Sequence, residues 1–492
     1  MQAFHESKSP RTVLGSCNES VLKTAHCCSF RPPLTEFNTQ DFCSHGTTLS
    51  FQTCNEEFFT LDSSMSAPAF SNSVHDCQPT VSTSSFTSSW DLGTYGGRSN
   101  ISNKGRRNWD NQVISAMDLK QGLIACAKSI SDSDISTAVG LMDVLEKMVT
   151  ISGEPIQRLG AYLLEGLRAR IESSGNMIYQ RLRCDEPTGP QLMTSMYMLY
   201  QICPYWKFAY VSANAVIQEA VENEAKIHII DFQVAQGSQW VPFVESLSHR
   251  AGGAPSIRIT GVDDSQSALA RGGGLEIIQQ RLSMVAESCG VPFEFRGVPM
   301  LDHEVRAEHL MIQPDEAVVV NFPYVLHHIP DESVSIENHR DRLLRLVRGL
   351  SPKVVTLLEQ ESNTNTSPFY TRFLETLDYY SAMFESIDAA PTAPRDDPQR
   401  IRAEQHCVAR DIVNMVACEG PERVERHELL GKWRSRFSMA GFQQRPLSCS
   451  VTGAVLDMLE GEYSPNYRIE ERNGALYLNW RNRAMVTCSA WR

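Results

Sequence analysis

The chain has 492 residues, a formal net charge of −13 and 42% hydrophobic residues. That is enough apolar material for a sizeable core in a chain longer than one small domain, and no run of about 18 apolar residues is present to cross a membrane. The acidic balance argues against a protein that coats nucleic acid by bulk charge.

Residues 1–110 hold 31 Ser or Thr and show no sustained helical or strand period. The stretch Thr80-Val81-Ser82-Thr83-Ser84-Ser85-Phe86-Thr87-Ser88-Ser89 is low in complexity. Such a segment buries too little to offset chain entropy, so it is expected to be disordered. The opening Met1-Gln2-Ala3-Phe4-His5-Glu6 has no basic start leading into an apolar stretch, so no secretory signal is expected. Lys104-Gly105-Arg106-Arg107 reads either as a weak nuclear-import address or as a solvated linker. The 14 Cys, six of them in 1–110, never fall as C-x-x-C, which favours free thiols in a reducing compartment over a disulfide scaffold or zinc ribbon.

From about residue 110 the texture becomes helical. Leu119, Leu123, Ala127 and Ile130 share one face; Val139, Met142, Leu145 and Met148 share another, with Asp132 or Asp134 as cap. Further helical patterns cover 155–171, opened by Pro155, and 191–200. The block 111–222 therefore reads as a helical cap. Strand and helix then alternate through 223–492. Strands are expected over 226–232, 257–262, 292–295, 317–322 and 354–358. Helices are expected over 240–247, 275–285 after Gly272-Gly273-Gly274, 338–347 and 369–384. Segments 475–480 and 485–491 read as an antiparallel hairpin at the sheet edge. The predicted fold is α/β: a methyltransferase-like, doubly wound, mostly parallel sheet with a C-terminal antiparallel hairpin, an N-terminal helical cap and a disordered N-terminal segment.

Open α/β sheets bind ligands beyond the carboxyl ends of their strands. Asp231, Asp263 and Asn321 stand there, and Asn321-Phe322-Pro323-Tyr324 offers an amide and a ring to a flat substrate. These positions make an S-adenosylmethionine-dependent methyltransferase, or a small-ligand binder, the alternative function. The glycines argue against it. Such sites resemble D-x-G-x-G-x-G, because the backbone must pass close to the ligand without a Cβ in the way. Here Gln233 and Ala235 replace two glycines and only Gly237 remains. The pocket residues Asp231, Gly237, Asp263 and Asn321 thus read as degenerate, with no cofactor and no catalytic residue expected.

Other motifs fail sooner. Gly431-Lys432 has Arg426 where a phosphate-binding loop needs Gly, and no G-x-S-x-G occurs. His327-His328, with Asp331 and Glu332 nearby, reads as a helix cap plus one core histidine, so no metal is expected. Glu359, Gln360 and Glu361 either bond loop backbone or line a pocket. The amphipathic helix over 339–348 reads as a solvated basic surface.

Ile227-His228-Ile229-Ile230-Asp231 resembles the V-H-I-I-D signature of the plant GRAS family. Leucine-rich stretches at about 119–150 and 275–287 flank it as they do in that family. Pro368-Phe369-Tyr370, Arg372 and Glu375 resemble its P-F-Y-R-E element, Arg423-Val424-Glu425-Arg426 its R-V-E-R element, and Ser489-Ala490-Trp491 its S-A-W element. The resemblance covers about 117–492. Residues 153–162 and 361–366 are similar to the branch of phytochrome A signal transduction, scarecrow-like and chitin-inducible gibberellin-responsive proteins. No D-E-L-L-A element occurs in 1–110. The resemblance implies a nuclear, partly cytoplasmic plant transcriptional regulator. Its expected partners are other transcription factors or GRAS proteins, met through the helical cap and leucine-rich regions, in homo- or heterodimers and away from membranes. The family's members are regarded as DNA-binding transcription factors; the acidity of this chain favours DNA contact that is indirect or weak. His228 and Asp231 then have structural roles.

Overall fold

A computed structural model describes residues 118–182, 184–263 and 274–492. The Ser/Thr-rich segment 1–110, the Lys104–Arg107 run, Gly272 and Gly273 lie outside the described residues.

Helices open the described chain: α1 (Leu119–Ser131), α2 (Ile135–Leu145), α3 (Pro155–Ile171), α4 (Ile178–Arg181), α5 (Gly189–Ile202) and α6 (Tyr205–Ala220). Asp134 caps α2, its side chain accepting from Thr137 N. Glu154 and Gln157 form a reciprocal capping box ahead of Pro155 at the start of α3. The buried stripe of α2 is Ala138, Met142 and Leu145. Val139, expected in that stripe, is instead exposed beside Ile135, four residues earlier on the same face. Ala138 supplies the i, i+4, i+7 spacing that the helix needs, and Val139 falls one position off it.

Alternation then begins with β1 (Lys226–Asp231), α7 (Trp240–Ser248), β2 (Ser256–Val262), α8 (Leu275–Ser288), β3 (Phe293–Val298), α9 (Ala307–Leu310), β4 (Ala317–Pro323), α10 (His339–Gly349) and β5 (Val354–Gln360). The rest follows as α11 (Phe369–Asp388), α12 (Pro398–Ala403), α13 (Arg410–Ala417), α14 (Leu430–Met439), β6 (Gln444–Arg445), α15 (Cys449–Leu459), β7 (Tyr467–Arg472), β8 (Ala475–Trp480) and β9 (Arg483–Trp491).

The nine strands form one sheet in the order β3-β2-β1-β4-β5-β9-β8-β7, with β6 also paired to β9. Strands β1 to β5 pair in parallel; β9 joins β5 antiparallel and starts the antiparallel end. The methyltransferase-like arrangement is therefore present, but the hairpin is not its edge. β7 lies outside β8. Its sequence Tyr467-Arg468-Ile469-Glu470-Glu471-Arg472 carries charges along an exposed strand, a device that blunts an edge against further pairing.

Side chains alternate between two cores. Ile227, Ile229, Ile257, Ile259, Val319 and Val354 face one that continues into the helical layer. Ile230, Val262, Val320, Val355 and Trp491 face the other, under α10 and α14. Strands covered on both faces read as continuous apolar runs, which is why β1 and β4 were legible. α3 packs on α11 and α13, so the helical layer draws on both halves of the chain, while α6 lies on β5 and β9.

Candidate functional site

The carboxyl ends of β1 and β4 hold the expected polar residues, and the register sets Asp231 beside Asn321. Asp231 Oδ1 accepts from Gln233 N (3.1 Å) and Oδ2 from Trp240 Nε1 (2.7 Å). Asn321 Nδ2 donates to Gln239 Oε1 (3.0 Å), and its Oδ1 accepts from Thr356 Oγ1 (2.7 Å). Gln239 Nε2 donates to Asn214 Oδ1 (3.2 Å), whose Nδ2 returns to Gln239 O (2.8 Å). Five elements and the loop after β1 thus meet in one buried network. Burial pushes the Asp231 carboxyl up to about 7, against the hydrogen bonds it accepts from Gln233 and Trp240.

Asp263 is buried at the end of β2, and its N–H donates to Val298 O (3.2 Å). Gly237 has φ +74°, and a Cβ there would meet Ile278 at 3.1 Å and Leu282 at 3.4 Å, so it lets α8 pack close to the loop. Ala235 keeps a left-handed φ of +48°, a backbone shape that suits glycine, while carrying the Cβ that glycine lacks. Beside this loop, Met196, Tyr200, Trp206, Tyr210, Gln236 and Ser238 line a cleft with about 20 Å³ of room, space for roughly one water. Tyr324 does not face a substrate: its hydroxyl donates to Tyr205 O (2.8 Å) at the start of α6.

His228 is buried between β1 and β2. Its Nε2 pairs with Thr260 Oγ1 (2.8 Å), and its Nδ1 lies 3.2 Å from Arg258, which is held by Glu316. Burial and the Arg258 charge hold its pKa down at about 4. Ile227, Ile229 and Ile230 fill the two cores.

The later motif residues are staples between loops. Pro368 precedes α11, and the Phe369 ring lies under the Arg170 guanidinium at 3.8 Å. Tyr370 lies under Lys128 at 5.7 Å. Arg372 donates to Met415 O (2.8 Å) and Ser367 O (3.0 Å) and pairs with Glu419. Glu375 accepts from Asn363 N (3.1 Å), Ser362 Oγ (2.9 Å) and Arg483 (2.6 Å). Arg423 donates to Thr364 O (3.1 Å) and Asn365 O (2.8 Å), and Arg426 bonds Gly420 O; Val424 is exposed. In the last strand, Trp491 Nε1 donates to Ser489 Oγ (3.0 Å), its ring packs on Phe437 at 4.7 Å, and Ala490 pairs with Thr356.

One surface reading changes and one open alternative resolves. Arg340, expected on a solvated basic face, is fully buried and donates to Ile329 O (2.8 Å) and His327 O (3.1 Å). The exposed basic residues of α10 are Arg342, Arg345 and Arg348. Glu359 and Glu361 bond loop backbone, at His327 N (3.3 Å) and Leu430 N (2.8 Å).

A cluster that residue-by-residue reading missed lies beyond β4 and β5. Asp331 and Glu332, neighbours of His327 in sequence, turn to Ser333 and Arg436 instead. Glu359 and the distant Glu425 and His427 meet His327 in their place. His327 Nδ1 lies 2.6 Å from Glu359 Oε2 and its Nε2 3.3 Å from Glu425 Oε2. His328 Nε2 and His427 Nε2 also lie 3.3 Å from Glu425 oxygens. Burial lowers the His327 pKa, but the two carboxylates outweigh it and hold it near 10; burial and His327 hold His427 near 4. One signal was available: R-V-E-R is followed directly by His427 and Glu428.

Residues 119–492 match the model of the GRAS domain family. The chain is 61% identical to Scarecrow-like protein 13 of Arabidopsis thaliana over 387 residues, covering 78% of this chain and 73% of that protein. It is 58% identical to Scarecrow-like transcription factor PAT1 of Arabidopsis thaliana, covering 77% of each. It is 55% identical to Chitin-inducible gibberellin-responsive protein 2 of Oryza sativa subsp. japonica, covering 76% of this chain and 68% of that one. The crystal structure of SCL7 from Oryza sativa matches with a TM-score of 0.67 at 33% identity, covering 77% of this chain and all of that one. With its motif residues stapling one sheet and its helical layer, this chain belongs to the GRAS domain family.

Proposed function

We propose that the chain is a plant transcriptional regulator that acts in light or hormone signalling through protein partners, in the nucleus and also in the cytoplasm. The observation that carries this reading is the filled carboxyl edge of the sheet. Where a methyltransferase-like fold would seat a ligand, Asp231 bonds Gln233 N and Trp240, the side chains of Asn214, Gln239, Asn321 and Thr356 bond in a chain, and the adjoining cleft has room for roughly one water. Binding energy must then come from outer surfaces. Ile135 and Val139 put an apolar pair on the exposed face of α2, in the first leucine-rich stretch. Partners of the transcription-factor or GRAS type are assigned to this face, with DNA reached through them. No helix among the described residues is long and apolar enough to cross a membrane. The degenerate pocket has no cofactor and no catalytic role in this reading.

Calorimetric titration of the full chain with S-adenosylmethionine tests it. No saturable binding is expected at millimolar ligand, a limit of about −4 kcal/mol. Submillimolar binding abolished by Asp263→Ala would make the methyltransferase the leading function. In a pull-down against nuclear transcription factors, Ile135→Asp with Val139→Asp should lose partners that the wild type retains.

A further inference from the structure

The geometry points to a divalent-cation site of the zinc class formed by His327, His328 and Glu425, with His427 beside it and Glu359 behind it. His327, His328 and Glu425 each offer one donor atom, all within 4.8 Å of one another. Two imidazoles and one carboxylate are a recurrent zinc donor set, and this set leaves a fourth position for water or a further side chain. Glu425 is the hub, since the Nε2 atoms of all three histidines lie 3.3 Å from its oxygens. Glu359 Oε2 lies 2.6 Å from His327 Nδ1. That is the outer carboxylate that fixes the ring and directs Nε2 toward a metal.

The second observation is His427. It is 1% exposed, and neither of its ring nitrogens has a hydrogen-bond partner. Its Nε2 is near Glu425 Oε2 but in a direction that makes no hydrogen bond, and its ring packs on His327 at 4.2 Å between centroids. A buried imidazole without a well-directed ring hydrogen bond is costly unless something else occupies one of its nitrogens. His328, whose side chain is one third exposed, gives the entry path. The ion would tie the loop after β4 to the R-V-E-R segment, and so brace two segments of the domain that the sequence separates by about a hundred residues. No reaction is assigned to it.

The test uses the full chain stripped with a chelator and titrated with zinc chloride, with bound metal measured after dialysis. One zinc per chain at micromolar free metal is expected, with a rise in melting temperature because only the folded state holds the site. His328→Gln, at a partly exposed position, should leave the chain folded and weaken binding at least tenfold. Glu359→Gln should weaken it roughly 10- to 100-fold. Cobalt(II) in place of zinc should give a tetrahedral visible spectrum without thiolate charge transfer, which separates this site from the chain's cysteines. A folded wild type with no saturable zinc binding overturns the proposal. So does zinc binding unchanged in both variants, or a cobalt spectrum dominated by thiolate.

Discussion

The Asp231 network and the His327 cluster stand along the same carboxyl edge of the sheet, on neighbouring strands, and both are largely buried and polar. They differ in how completely their groups are used. Around Asp231, Gln239 and Asn321, every side-chain oxygen and nitrogen has a hydrogen-bond partner. Around Glu425, three imidazoles compete for one carboxylate, and His427 makes no ring hydrogen bond. A matched network is closed to ligands because entry means breaking bonds that an incoming group must replace. A mismatched one retains affinity. Position at the ligand edge is thus insufficient to identify a site; the state of its hydrogen bonds decides.

The comparison assumes that both clusters rest on a common apolar frame, and Trp491 tests that assumption with the largest effect. Its side chain is fully buried in β9 between β5 and α14. Trp491→Ala should cost about 3–5 kcal/mol, read as a lower urea midpoint. An unchanged midpoint with lost partner capture would make Trp491 a contact residue and not part of the frame.

The sharpest contrast is between Gln239 and His427. Gln239→Ala strands Asn321 Nδ2 and Asn214 Oδ1 inside the protein, for a cost of about 1–3 kcal/mol. His427→Leu removes no ring hydrogen bond, so in metal-free protein it should cost less than about 1.5 kcal/mol. Equal losses would erase the distinction between a matched and a mismatched cluster.

Acidity reports on the closed network only by comparison with an Asp231 variant, because burial also pushes the Glu404 and Asp411 carboxyls up to about 7. Asp231 has a folded pKa near 7, raised above the unfolded carboxyl at about 4. The folded state therefore holds a proton that the unfolded state releases between those values. Its stability contribution is present below about pH 4 and is lost as pH rises toward 7, by up to a few kcal/mol. Asp231→Asn should flatten that fall, measured as melting temperature at pH 5 and pH 8 relative to wild type. A parallel fall in the variant would assign the trend to another group.

The smallest effect concerns Ala235. At φ +48° its Cβ is strained, so Ala235→Gly should be neutral or stabilising by up to about 1 kcal/mol, despite the usual entropic cost of glycine. Recovery of weak S-adenosylmethionine binding in Gln233→Gly with Ala235→Gly would show that the retained backbone shape is a relic of a glycine loop.

Much of this was legible from residues alone. β1 and β4 are apolar on both faces, so their runs read as buried parallel strands without knowledge of neighbours. Pro155 and Asp134 mark helix starts through local chemistry. The order of motifs pointed to the family, and Gln233 with Ala235 marked the altered loop. Misreadings arose where the partner is distant. Arg340 looked solvated because its acceptors, the carbonyls of Ile329, His327 and Arg426, belong to loops brought together only by folding. β7 escaped notice because an edge strand carries charges that resemble a loop.

Periodicity, caps and strand hydrophobicity are properties of contiguous residues, so the chain itself dictated the helices, the parallel strands and the polar residues at their ends. Which polar residues meet is a property of the sheet order. Only the tertiary structure turned Asp331 away from His327 and brought Glu425 and His427 to it from about a hundred residues downstream. The physical reason is that hydrogen-bond satisfaction depends on distances of about 3 Å between atoms, and no spacing along the chain encodes those.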